Sequence, residues 1–112
     1  MEIRNRPRIK KIKCQTCGTE YVIPLSANFM YFCPECREYN GCECEYGFAA
    51  IVPCEIYLGE EMIGRMTGGA GNYRLDSERL GISVRLTQLY KNLAVYNEAI
   101  DIIREHLSNE EH

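Results

Sequence analysis

The chain has 112 residues, of which 46% are hydrophobic and 26% charged, a balance that is typical of one small globular domain and argues against a disordered chain. No run of about 18 apolar residues occurs, so the sequence predicts no membrane span, and its charged start lacks the apolar stretch of a signal peptide. We therefore expect a cytoplasmic protein. Thiols stay reduced in that compartment, so the seven cysteines favour a metal site over disulfides.

The net charge of −3 conceals a division along the chain. Residues 1–40 carry a charge of +3, and residues 41–112 carry a charge of −6. The first 13 residues, which we call the basic arm, hold six basic side chains and one acidic one. The basic ones are Arg4, Arg6, Arg8, Lys10, Lys11 and Lys13. Such an arm is suited to contact the phosphates of a nucleic acid or an acidic protein partner; alternatively, it keeps an edge strand soluble.

Two cysteine pairs organise the first third of the chain. Cys14 and Cys17 form the first pair, Cys33 and Cys36 form the second, and fifteen residues separate the pairs. Two residues between thiolates allow a tight turn, here called a knuckle, in which both sulfurs face one ion about 2.3 Å away. Two such pairs complete a tetrahedron, so the spacing predicts one structural zinc ion. Four thiolates leave no position for a substrate, and no other motif indicates a catalytic group, so we do not expect an enzyme.

Strand-forming residues surround both cysteine pairs. We expect strands over residues 8–13 and 20–23 on either side of the first knuckle. Gly18 closes that knuckle, because glycine accepts a positive φ without strain. Residues 29–32 form a third expected strand, which leads into the second knuckle.

The second knuckle is less regular than the first. Arg37 follows it at a position where glycine would be easier, and residues 38–41 are then expected to turn the chain. We interpret the aromatic side chains around the knuckles as the small core of this unit, with stacking on nucleic-acid bases as the alternative. These side chains are Tyr21, Phe29, Tyr31 and Phe32.

Residues 8–40 resemble the zinc ribbon family, through Cys14, Cys17, Gly18, Cys33, Pro34 and Cys36. The resemblance implies that the four cysteines are structural zinc ligands and that the ribbon surface binds nucleic acid or protein. Zinc ribbons occur in transcription factors, polymerase subunits, ribosomal proteins and small regulators, so the family indicates an architecture more than a single function. Rubredoxin-like iron sites share the two knuckles, but they usually have a longer separation and a glycine where this chain has Arg37.

Three further cysteines, Cys42, Cys44 and Cys54, follow the ribbon. A second metal site would need a fourth ligand, such as His106 or a carboxylate. The sequence offers no further cysteine pair with a two-residue spacing, so we interpret these three as thiols without a metal.

The middle of the chain indicates additional strands. Residues 48–52 are an apolar run that is expected to form a buried strand. Residues 55–58 and 61–66 predict a hairpin, with Gly59 at the first central position of a type II′ turn. The glycine-rich residues 67–72 lack a phosphate-binding pattern and are predicted to form a loop.

The last third of the chain has helical character. We expect a short turn that runs through Leu80, capped by Asp76 or Ser77 and interrupted by Gly81. A longer helix is expected to begin between residues 83 and 88 and to end near Leu107.

The predicted long helix has one broad apolar face, because its apolar residues recur at spacings of three and four. The face consists of Leu86, Leu89, Tyr90, Leu93, Tyr96, Ala99, Ile100, Ile103 and Leu107. We expect it to pack on the protein's own sheet. A ribbon offers little surface for such packing, however, so a homodimer or docking on a partner is the alternative. The residues proposed for that docking face are Leu86, Leu89, Leu93, Tyr96, Ile100 and Ile103.

The sequence as a whole predicts an α+β protein with an N-terminal zinc ribbon of short antiparallel strands, a further β-hairpin and a C-terminal amphipathic helix. Its expected segments are the basic arm and first strand (1–13), the ribbon (8–40), a hairpin region with a glycine-rich loop (41–75) and a helical segment (76–112). The expected function is a small non-enzymatic zinc-binding protein that regulates or adapts a nucleic-acid-processing complex, such as a transcription complex, through protein contacts, with nucleic-acid contact by the arm. A rubredoxin-like iron electron-transfer protein is the alternative.

Overall fold

A computed structural model describes residues 9–24, 28–44, 53–69, 71–88 and 93–110. Within these ranges the chain forms eight strands and one helix, which confirms the predicted α+β class. The elements are β1 Ile9–Lys13, β2 Glu20–Pro24, β3 Asn28–Phe32, β4 Tyr39–Cys44, β5 Cys54–Leu58, β6 Glu61–Thr67, β7 Arg74–Ser77, β8 Ile82–Arg85 and α1 Leu93–Glu110. No helix in the described ranges is both long enough and apolar enough to cross a bilayer.

The two knuckles sit at the tips of two antiparallel hairpins. β1 and β2 pair with each other on either side of the first knuckle, as predicted, and they form a separate two-stranded sheet. β3 pairs with β4, so the predicted turn at residues 38–41 was wrong. Gly41 lies within β4 opposite Tyr31, and a Cβ at this position would stand 2.9 Å from the Tyr31 hydroxyl oxygen. The glycine thus makes room for a ring that crosses the neighbouring strand.

The larger sheet has six strands in the order β4-β3-β5-β6-β7-β8. β3 and β5 are parallel, and the other neighbouring strands are antiparallel. The predicted hairpin at residues 55–66 is confirmed as β5 and β6, with Leu58 opposite Glu61. Gly59 has a φ of 61°, as the first central residue of a type II′ turn requires. The strand predicted at residues 48–52 lies outside the described residues.

β3 is buried on both of its faces. Met30 and Phe32 point into a large core between the six-stranded sheet and α1, which we call the helix core. Phe29 and Tyr31 point the opposite way, into a smaller cluster beneath the β1–β2 hairpin, which we call the ribbon core. The ribbon core consists of Cys14, Tyr21, Ile23, Phe29, Tyr31 and Cys33. The predicted core role of the four aromatic side chains is confirmed, although Phe32 belongs to the helix core.

The segment before α1 is a hairpin rather than a helix. The predicted turn through Leu80 is confirmed at residues 78–81, where it joins β7 to β8. Ser77 caps this turn, since its hydroxyl accepts a hydrogen bond from the Leu80 N–H at 3.0 Å and donates to the Ile63 carbonyl. The helix start predicted between residues 83 and 88 was wrong, and α1 extends three residues beyond the predicted end.

The apolar face of α1 packs on the protein's own sheet, which confirms the packing that the sequence analysis expected. Tyr96 and Ile103 are fully buried in the helix core, and Ile100 and Leu86 are only 6% and 4% exposed. These four side chains are therefore covered by the protein's own residues. The six-stranded sheet supplies the area that a ribbon alone lacks. Leu89 and the side chain of Leu93 lie outside the described residues.

Replacing Ile103 with Ala should lower the free energy of unfolding by about 2–5 kcal/mol, because the substitution leaves a cavity in the helix core. Chemical denaturation of the metal-loaded protein measures the change. The matched control is Asn97→Ala, at an exposed position of the same helix, which should change stability by less than about 0.5 kcal/mol. Unchanged stability in Ile103→Ala, together with a change in oligomeric state, would show instead that this face is an intermolecular interface.

Candidate metal centre

The first knuckle is held by two backbone hydrogen bonds around Cys14. The Cys14 N–H donates to the Thr19 carbonyl at 2.9 Å, and the Gly18 N–H donates to the Cys14 carbonyl at 3.0 Å. Gly18 has a φ of 80°, a conformation that glycine adopts without steric cost. The predicted role of Gly18 is confirmed.

The second knuckle repeats the same arrangement nineteen residues later. The Cys33 N–H donates to the Glu38 carbonyl at 2.9 Å, and the Arg37 N–H donates to the Cys33 carbonyl at 2.9 Å. Arg37 therefore takes the place of Gly18, with a φ of 68°, and no other described non-glycine residue has a positive φ. This conformation costs a residue with a Cβ roughly 1–2 kcal/mol.

The four predicted ligands converge on one point. All four sulfur atoms lie within 4.8 Å of one another. Cys14 Sγ is 3.5 Å from Cys36 Sγ, and Cys17 Sγ is 3.7 Å from Cys33 Sγ. A tetrahedron with metal–sulfur bonds of about 2.3 Å has sulfur–sulfur edges of about 3.8 Å, so the cluster has the dimensions of a four-thiolate metal site. The six cysteines whose side chains the structure describes form no disulfide.

Hydrogen bonds prepare the first knuckle to carry negative charge. Burial of Cys14 opposes its ionisation, but its sulfur accepts hydrogen bonds from the N–H groups of Cys17 (3.4 Å) and Thr16 (3.3 Å) and from the Asn40 amide (3.5 Å). These donors outweigh burial and lower the pKa of Cys14 to about 6. The Thr19 hydroxyl, 3.2 Å from the sulfur, lowers the pKa of the exposed Cys17.

The second knuckle depends more strongly on a bound cation. Burial raises the pKa of Cys33 and raises that of Cys36 to about 12. The Cys33 sulfur still accepts a hydrogen bond from the Glu35 N–H at 3.4 Å. A metal ion would supply the positive charge that the thiolates of the buried Cys33 and the half-buried Cys36 need, so the donor set fits one soft divalent ion.

Asn40 links the two knuckles, a role that the sequence did not predict, because this residue was expected to lie in a turn. Its side-chain oxygen accepts a hydrogen bond from the Gln15 N–H at 3.0 Å. Its amide donates to the Glu38 carbonyl at 3.0 Å and to the Cys14 sulfur at 3.5 Å. One side chain therefore touches the first knuckle, the second knuckle and a ligand. No spacing in the sequence signals this role, since it arises only when the two hairpins come together.

The remaining cysteines do not gather into a second centre among the described residues. Cys54 is buried, and its thiol donates to the Glu55 carbonyl at 3.3 Å. Cys42 packs against the helix core, while His106 contacts the Ile102 carbonyl through Nδ1 at 2.9 Å. The side chain of Cys44 lies outside the described residues.

The described part of the basic arm follows β1. Lys10 Nζ lies 2.6 Å from Glu43 on β4, and the hydrogen bond to this carboxylate raises the pKa of Lys10. Lys11 Nζ lies 3.5 Å from Glu20 on β2. Lys13 is exposed next to the first knuckle. Arg4, Arg6 and Arg8, the other predicted contact residues, lie outside the described residues.

Comparisons of this chain with models of known protein families, with curated proteins and with solved structures found no match.

Replacing Asn40 with Ala should lower metal affinity by about 10–100-fold while leaving the stoichiometry unchanged, because Cys14 loses a hydrogen-bond donor while all four ligands remain. Competition with a chromophoric chelator measures the affinity. Asn72→Ala, at an exposed position in the loop between β6 and β7, is the control and should bind like the parent. An Asn40→Ala affinity equal to that of the parent would remove Asn40 from the site.

Proposed function

We propose that the chain is a small zinc-binding module of the zinc ribbon type, in which the metal is structural and the surrounding surface binds a partner. The convergence of Cys14, Cys17, Cys33 and Cys36 carries this proposal. Four thiolates in a tetrahedron are the preferred donors of structural zinc, and when bound the ion would stabilise the folded ribbon. The repeat of one knuckle geometry on two adjacent hairpins supports the ribbon assignment.

We propose that the module is not an enzyme. Its four sulfur ligands complete a tetrahedron, and a structural site of this kind keeps no open position for a water or a substrate. Rubredoxin-like iron would use the same four ligands, and no described contact favours it over zinc. We place the module in the cytoplasm, because a four-thiolate site requires reduced cysteines.

We further propose that the module is an adaptor or regulator of a nucleic-acid-processing complex. The resemblance of residues 8–40 to zinc ribbons supports this role. The exposed Lys11 and Lys13 extend the positive charge of the arm along β1 up to the first knuckle. Protein contacts are favoured as the main mode of binding, because the whole chain is acidic and would not be drawn to nucleic acid over a long range.

The metal assignment is tested by elemental analysis of the purified full chain. We expect one zinc ion per chain, and we expect Cys33→Ser to lose it because one of four ligands is removed. Cys42→Ser is the matched control and should keep the metal, since this cysteine lies outside the cluster. Iron in the parent would support the electron-transfer alternative, and retention of zinc by Cys33→Ser would overturn the assignment.

The role of the basic arm is tested with a short fluorescent single-stranded oligonucleotide at several salt concentrations. Replacing Arg4, Arg6 and Arg8 with Ala should weaken binding and reduce the slope of log affinity against log salt by about 0.7 for each phosphate that the arm no longer neutralises. The control variant replaces Arg65, Arg74 and Arg85, three exposed arginines of the six-stranded sheet, with Ala. It removes the same amount of positive charge from a different surface. Equally weakened binding by both triple variants would show that net charge, and not the arm, governs the interaction.

A further inference from the structure

The C-terminal end of α1 lacks its own electrostatic support. A helix accumulates partial negative charge at its C-terminus, where basic side chains are stabilising and acidic ones are not. Within the described residues, the last turn of α1 contains no basic side chain, and Glu110 is its final residue. The final turn of a helix also frays readily when nothing holds it. Positive charge from elsewhere in the fold is therefore needed to hold this end.

Arginines from two loops supply that charge. Arg37 Nη1, from the second knuckle, lies 3.0 Å from Glu110 Oε1, and Arg79 Nη2, from the β7–β8 turn, lies 3.1 Å from the same oxygen. A second contact joins the knuckle to the helix, since Arg104 Nη2 lies 2.9 Å from Glu38 Oε1. Arg37 and Glu38, which are consecutive in the chain, thus each form an ion pair with α1. We call these two ion pairs, Arg37–Glu110 and Glu38–Arg104, the helix clamp.

The position of Arg37 is tied to the geometry of the metal centre. It directly follows the ligand Cys36, and its N–H donates to the carbonyl of the ligand Cys33. Its backbone has the left-handed conformation that Gly18 adopts in the first knuckle. A residue with a Cβ stays in that conformation only while the surrounding structure enforces it. Fixing both cysteines on one ion would provide that enforcement.

We propose that metal binding at the four-cysteine centre controls the docking of the C-terminal end of α1, with Arg37 as the link. This inference rests on the proposed function, because it requires that the site holds a metal. In the metal-loaded protein the knuckle keeps the backbone of Arg37 in the left-handed conformation, and its guanidinium stays paired with the Glu110 carboxylate. When the metal leaves, Arg37 relaxes out of the left-handed region and the clamp opens. The last turns of α1 then loosen and uncover Leu107, which is fully buried in the clamped state.

Hydrogen exchange of the full chain, read by mass spectrometry on peptides covering residues 100–110, tests the proposal. The zinc-loaded parent should exchange in this segment on the order of tenfold more slowly than the chelated parent. Metal content is measured on the same samples. A parent that binds no metal would overturn the proposed function, whereas a parent that binds metal with no change in helix exchange would overturn only the coupling.

Arg37→Gly is the decisive variant, because glycine keeps the knuckle conformation at lower steric cost while removing the guanidinium. It should keep its zinc, and in the loaded state its residues 100–110 should exchange faster than those of the loaded parent, with β6 exchange unchanged. This comparison within the loaded state holds even if chelation unfolds the whole chain. Loaded Arg37→Gly with helix protection equal to that of the parent would overturn the role of Arg37.

Arg79→Gln is the matched control, since Arg79 contacts the same Glu110 oxygen from a loop that holds no metal ligand. It should speed exchange at the helix end in both metal states and preserve the difference between them. If Arg79→Gln instead removed the difference between the loaded and chelated states, the metal dependence would belong to the contacts of Glu110 in general, and the proposed route through the knuckle would be wrong.

Discussion

Four sulfur atoms that lie within 4.8 Å of one another are the constraint on which the N-terminal half of this fold depends. Two of them, on Cys14 and Cys33, are almost completely buried among apolar side chains, where thiolates would repel one another and lack solvation. A cation at their centre removes both difficulties. The β1–β2 hairpin has no other sheet partner among the described strands, and an isolated two-stranded hairpin is marginally stable in water. The four-cysteine cluster and the ribbon core beneath it therefore hold this hairpin to the rest of the protein, together with the Lys10–Glu43 ion pair and the Gln15–Asn40 hydrogen bond.

β3 connects that centre to the remainder of the molecule. Its four residues from Phe29 to Phe32 are apolar or aromatic without interruption, the pattern of a strand buried on both faces. Phe29 packs edge-to-face on Tyr57 in the ribbon core, with ring centroids 5.2 Å apart, while Phe32 packs on Tyr39 at 5.4 Å in the helix core. The two cores thus share one strand, which ends at Phe32, directly before the candidate ligand Cys33. The second knuckle therefore begins where the side chain of Phe32 enters the helix core.

The features that the sequence predicted correctly are local ones. The metal ligands follow from a two-residue spacing, and the β5–β6 hairpin follows from Gly59 between alternating residues, so neither requires knowledge of distant contacts. The alternation of Ile82, Val84 and Leu86 is a strand pattern. β8 was nevertheless missed, because Leu86 also fits the helical spacing of the apolar residues that follow it. Leu86 is indeed buried in the helix core, but it lies outside α1. When a short apolar pattern fits the periods of both a strand and a helix, contacts with distant residues determine which of the two forms. A single sequence does not reveal those contacts.

β4 and Asn40 were missed for a related reason. Asn40 and Gly41 favour turns when considered alone, and β4 forms because β3 offers it a strand to pair with. The hydrogen bonds of Asn40 exist only after the two knuckles meet, so no local signal could have indicated them. The ligands of a metal site can be predicted from spacing, whereas the groups that support them depend on the assembled fold.

The difference between Gly18 and Arg37 shows where two equivalent knuckles diverge. Arg37 carries a conformational cost of roughly 1–2 kcal/mol that glycine would avoid. Its partly exposed ion pair with Glu110 contributes about 0–1 kcal/mol, and its position at a helix C-terminus adds about 0.3–1 kcal/mol. These contributions roughly offset the cost, so stability alone gives no reason to prefer arginine here. What arginine adds is a physical connection: its guanidinium joins the second knuckle to Glu110 at the helix end, and a glycine at this position would leave only the Glu38–Arg104 ion pair of the helix clamp.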